Sequence, residues 1–103
     1  DEIGRAGGPR PLAVPLDLYQ AESAARLRDA ALSAHGHVDI LINNAGGWRT
    51  VPWDSPDSVW DESFSINFTA VRRLTQALLP GMIERRWGRV LCVTGSAEPS
   101  RTL

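Results

Sequence analysis

Lysine is absent: all 11 basic residues of this chain are arginine. No lysine can therefore take part in any chemistry carried out within it. Cys92 is the only cysteine, which excludes an intrachain disulfide. It stands in an apolar run and reads as a small core residue. There is one tyrosine, Tyr19. No apolar run approaches the roughly 20 residues that a membrane span needs, and no signal-peptide pattern opens the chain. A cytoplasmic protein with no membrane partner is the expectation. The formal net charge is −1, so no polyanionic partner such as nucleic acid is implied. At 103 residues the chain suffices for one small domain, taken as residues 1–103. No metal site is expected.

What is present alternates between two periodicities. Residues 1–11 are rich in Gly, Arg and Pro and read as a loop. Leu12, Ala13, Val14, Pro15 and Leu16 predict a short strand, placed at an edge because Pro15 lacks a backbone donor. Ala24, Leu27, Ala31 and Ala34 predict a helix over 22–35, stopped by Gly36. Residues 38–42 are apolar throughout and predict a strand covered on both faces. A loop carrying Trp48, Arg49 and Trp53 follows.

Ser55, Pro56 and Asp57 mark a helix start: a capping hydroxyl, a proline in the first turn, an acid at the positive end of the dipole. Trp60, Phe64, Val71, Leu74, Leu78 and Met82 form one apolar stripe on a helix over about 56–86. Pro80 should kink or end that helix locally. After Gly88, residues 89–93 predict a further strand, and Thr94, Gly95 and Ser96 the loop beyond it. Strands alternating with helices imply parallel βαβ units and an α/β sheet.

Five places invite a functional reading. The spacing 60, 64, 67, 71, 74 puts Asn67 inside an apolar stripe, where an unmet amide costs about 1–3 kcal/mol. Asn43 and Asn44 leave the second strand at its carboxyl end, and Thr94 and Ser96 leave the third at the same end. Each taken singly is an ordinary turn or loop residue. Together with Asp17 they would line one rim of the sheet, the rim at which open α/β sheets bind ligands. Arg49 stands near it and suits either solvent or an anionic substrate group. Trp60 and Trp87 read as packing residues.

The order of these features resembles the middle of a short-chain dehydrogenase/reductase. The resemblance rests on Asp17-Leu18, on Asn43-Asn44-Ala45-Gly46, on Phe64-Ser65-Ile66-Asn67, on Leu79-Pro80-Gly81-Met82 and on Trp87-Gly88-Arg89-Val90. It implies a partial Rossmann-type fold, a doubly wound parallel sheet represented by strands three to five. It implies NAD or NADP as hydride carrier, with Asp17 and Leu18 at the adenine and Asn44, Ala45 and Gly46 shaping the cofactor site. Asn67 would be the family's catalytic asparagine, holding a proton-relay water. The substrate would be a small-molecule carbonyl or alcohol, as for a 3-oxoacyl-carrier-protein reductase. The long helix, through its face bearing Arg72, Arg73 and Gln76, would join a homodimer or homotetramer; a solvated charged face is the other reading.

The departures are specific. No Gly-x-x-x-Gly-x-Gly loop precedes the first strand, and no Tyr-x-x-x-Lys pair is present. The family's serine position falls on Gly95, with Ser96 one place later; Ser96 is taken as the candidate. The chain thus looks like an interior fragment of a longer enzyme, inactive by itself. A non-catalytic dinucleotide-binding or regulatory protein on the same fold is the alternative. With the strands between three and four missing, the isolated chain should be marginally stable.

Overall fold

The computed structural model describes residues 5–8, 11–46 and 51–93. Helix α1 spans Ser23–His35, strand β1 Ile40–Asn43, helix α2 Asp57–Phe64, helix α3 Ala70–Arg85 and strand β2 Arg89–Cys92. Between α2 and α3, Ser65–Thr69 form a π-helical turn, so the three pieces make one unbroken helix. β1 and β2 pair in parallel, with Leu41 opposite Val90 and Asn43 opposite Cys92. A final bond from the Val93 N–H to the Asn43 carbonyl, 2.9 Å, extends the ladder. The architecture is α/β, as the alternation of periods requires.

The core is small. Ala24 of α1, Leu41 of β1 and Leu74, Leu78 and Met82 of α3 are buried together, and Leu18, Leu27, Val38 and Ala77 pack around them. All of it lies on one side of the sheet. Ile40 and Ile42 point to the other side and are half exposed, as are Leu91 and Val93. The expectation of a strand covered on both faces is therefore corrected: β1 alternates exposed and buried, because the described helices pack on one face only.

Gly36 ends α1 at φ 82°, its N–H bonded to the Leu32 carbonyl at 2.8 Å. The start of α1 is held by the preceding turn. The Asp17 carboxylate accepts the Tyr19 N–H at 3.0 Å, and its carbonyl accepts the Gln20 N–H at 3.1 Å. That carbonyl also accepts the hydroxyl of Ser23, which is only 1% exposed.

Several expectations are revised. The strand expected over 12–16 pairs with nothing among the described residues. A strand needs a neighbour for its backbone groups, and the sheet has only β1 and β2. Ser55 makes no capping bond; Pro56 is the N-cap, with its carbonyl accepting the Val59 N–H at 3.0 Å. The helix does not end at Pro80 but runs on to Arg85. It closes at Arg86, which adopts the left-handed conformation at φ 57° while the Trp87 N–H bonds to the Met82 carbonyl at 3.1 Å. Cys92 is exposed rather than core, although it lies opposite Asn43 on that residue's side of the sheet; it stands at the end of β2, outside the buried cluster of Leu41, Leu74, Leu78 and Met82.

The apolar stripe is the most instructive revision. Leu74, Leu78 and Met82 are buried as expected, but Trp60 and Phe64 are exposed at 46% and 60%. Val59, Ser63 and Ile66 before α3 and Ala70 at its start are covered, each one residue earlier than the stripe. A π turn takes an extra residue relative to an α turn. It rotates everything N-terminal to it by about 100° against an unbroken α period. Asn67 leaves the buried side for the same reason.

Candidate active site

The chain leaves β1 through Asn43, Asn44, Ala45 and Gly46. The sheet's carboxyl edge therefore opens toward the turn at 16–19 and the π turn. A cleft of about 470 Å³ lies there, lined by Leu16, Asp17, Leu18, Tyr19, Ala45, Gly46 and Ile66. Four of the five residues assigned to cofactor binding, Asp17, Leu18, Ala45 and Gly46, thus share one cleft. The fifth, Asn44, is exposed at the same edge but does not line it. Leu18 faces two ways, touching both cleft and core. One Asp17 carboxylate oxygen holds the turn into α1, which fixes the direction in which the group faces the cleft.

Asn67 is the middle residue of the π turn. It is exposed, not buried as its spacing implied. Its amide Nδ2 donates to the Ser63 carbonyl at 3.0 Å, with the Ser63 hydroxyl at 3.4 Å. That anchor turns the carboxamide oxygen toward Gly46: a Cβ built on Gly46 would lie 2.9 Å from Asn67 Oδ1. The strand-end turn and the helix therefore meet at the one place where both carry predicted site residues. Ser96 lies outside the described residues, as do Trp48, Arg49, Thr94 and Gly95.

Asn43, expected to leave the strand at the rim of the sheet, is instead its last residue and only 5% exposed. Its Nδ2 is 3.7 Å from Cys92 Sγ, and its Oδ1 has no partner among the described residues. Its inward position follows from alternation with Leu41, a signal available once the strand ends at 43 rather than 42. Ile66 and Ser63 were also missed, because the one-residue slip at the π turn brings them inward. Among the described residues no group of three or more His, Cys, Asp or Glu is placed to hold a metal ion. No described helix is long and apolar enough to cross a membrane.

Comparison with known proteins agrees with this geometry. The family model described as short chain dehydrogenase matches residues 1–100. The 7alpha-hydroxysteroid dehydrogenase of Escherichia coli K12 is 32% identical over 103 residues, which is all of this chain and 40% of that protein. A solved structure of a 7alpha-hydroxysteroid dehydrogenase, complexed with NADH and 7-oxo glycochenodeoxycholic acid, superposes with a TM-score of 0.85 at 33% identity. It covers 91% of this chain and 36% of its own. A metagenomic short-chain oxidoreductase in complex with NADP gives a TM-score of 0.84 at 32% identity, covering 95% and 46%. The chain thus spans less than half the length of the relatives it matches. A parallel β1–β2 pair, the Asn43–Gly46 turn, the asparagine opposite it and a match over nearly the whole sequence lead to one conclusion: the chain belongs to the short-chain dehydrogenase/reductase family of oxidoreductases.

Proposed function

We propose that this chain forms the central part of an NAD- or NADP-dependent enzyme that interconverts a carbonyl and an alcohol. The observation that carries the reading is the cleft at the carboxyl edge of β1, where Asp17, Leu18, Ala45 and Gly46 converge within reach of Asn67. The residues fit a dinucleotide. An apolar side chain beside a carboxylate suits an adenine ring, and a side-chain-free position at Gly46 leaves room for close approach. The cofactor, when bound, supplies or accepts the hydride. Asp17 and Leu18 hold its adenine end, and Asn44, Ala45 and Gly46 shape its seat. Asn67, exposed and aimed at that seat, holds a proton-relay water. Ser96 polarises the substrate oxygen.

The substrate is a small-molecule carbonyl or alcohol, with a 3-oxoacyl chain on a carrier protein as the first candidate. An oxo-steroid, the class bound in one similar structure, is the second. In the complete protein the exposed side of α3, where Arg72 donates to Gln76 at 2.7 Å, packs against a second copy in a homodimer or homotetramer. The 103-residue chain alone does not turn over. It has no lysine, and its single tyrosine, Tyr19, adjoins Asp17 and Leu18, the pair read here as the adenine contact.

The test is to express the full-length protein of the source gene and follow NADH and NADPH oxidation against 3-oxoacyl and oxo-steroid substrates. Turnover with either cofactor is the expected result. Saturable cofactor binding with no turnover on any ketone would favour the non-catalytic dinucleotide-binding reading, which Gly95 at the expected serine position supports.

A further inference from the structure

We infer that Gly46 is a positioning residue for Asn67: by carrying no side chain it fixes where the Asn67 carboxamide oxygen sits. The inference rests on the role proposed above for Asn67. Two constraints act on that amide from opposite sides. Its nitrogen is tied to the Ser63 carbonyl at 3.0 Å and lies 3.4 Å from the Ser63 hydroxyl, one turn back along the helix. Its oxygen lies against Gly46, so close that a Cβ there would come within 2.9 Å. A third constraint is local: Asn67 sits at the centre of the π turn Ser65–Thr69. π turns commonly mark functional positions in helices. Here the turn brings Asn67 out of the core side and over the end of β1.

The consequence is a defined failure. Among the described residues, a methyl group at Gly46 meets the tip of a flexible side chain and no backbone atom. The fold therefore accommodates it by swinging the Asn67 amide aside and breaking its bond to Ser63. Displacing a positioned group by about 1 Å is enough to lower turnover by about 100-fold. Gly46 also lines the proposed cofactor seat, so any direct effect on the cofactor must be separated from the effect through Asn67.

A double-mutant cycle on the full-length protein makes that separation. The variants are Gly46→Ala, Asn67→Ala and the pair, each measured for kcat, substrate KM, cofactor Kd and Tm. Gly46→Ala is expected to lower kcat by about 10- to 100-fold with little change in substrate KM. In the Asn67→Ala background, where the clashing oxygen is gone, it should add no further loss in kcat. A direct cofactor effect would appear in Kd equally in both backgrounds. The same factor lost from kcat in both backgrounds would overturn the inference. Should Asn67→Ala leave kcat unchanged, the catalytic reading of Asn67 fails and Tm decides the contact. A Tm drop from Gly46→Ala that disappears with Asn67→Ala upholds the positioning contact. An equal drop in both backgrounds overturns it.

Discussion

Gly88 matters for what it leaves out. A Cβ there would lie 2.6 Å from the Cβ, Cγ and Sδ of Met82, and Met82 is the most buried apolar residue of the core at 3% exposure. Unlike the tip of Asn67, a Met82 Cβ is rooted in the α3 backbone and cannot swing away. Gly88→Ala should therefore destabilise the full-length protein by about 1–3 kcal/mol through overpacking, measured by urea titration. A loss below about 0.5 kcal/mol, the range of an ordinary surface change, would show that the strand entry relaxes freely. Gly36 makes the contrasting case. Among the described residues nothing lies within 4 Å of a Cβ there, but its φ is 82°. Its role is conformational, that of Gly88 steric. The sequence marks both as helix breaks and cannot separate them, because the difference lies in which atoms from α3 arrive opposite.

At the scale of elements, the long helix carries two local conflicts, and they are resolved differently. Pro80 lies inside α3, lacks the N–H that would bond to the Gln76 carbonyl, and is exposed. Pro80→Ala should restore that bond without disturbing the core. A stabilisation of about 1–2 kcal/mol is expected, after the looser unfolded chain offsets part of the helix gain. Thermal unfolding of the full-length variant checks it, and an unchanged or lower Tm would mean that the proline is accommodated without loss. The second conflict is the π turn, and it accounts for most of what the sequence hid. Leu74, Leu78 and Met82 were legible as core from their 3.6 period, and Gly36 and Gly88 from their breaks. Trp60, Phe64 and Asn67 were misplaced because periodicity assumes an unbroken α-helix, and no residue in Ser65–Thr69 announces the extra one. The convergence of Asp17, Leu18, Ala45 and Gly46 on one cleft was legible from chain order. The contact of Gly46 with Asn67, and the anchor of Asn67 on Ser63, required coordinates, since both depend on the slipped register.

At the scale of the whole molecule, the chain is too open for its length. Its accessible surface is 8347 Å², against about 5,700 Å² for a folded monomer of this mass. Its radius of gyration is 16.7 Å, against about 13 Å for a compact domain of about 100 residues. Ile40, Ile42, Leu91 and Val93 form an apolar sheet face with no described cover, and among the described residues six apolar ones are buried. Each two-stranded edge also presents unpaired backbone groups. A 103-residue chain with one covered face does not bury enough apolar area to offset the entropy of ordering its backbone. The isolated chain should therefore show a broad, non-cooperative loss of ellipticity in urea and bind an apolar dye before denaturant is added. The full-length protein should show a sharp transition and no such binding. A cooperative transition of several kcal/mol in the isolated chain would mean that the open face is covered in solution. Concentration dependence of its midpoint would then distinguish a second copy from the chain's own remaining residues.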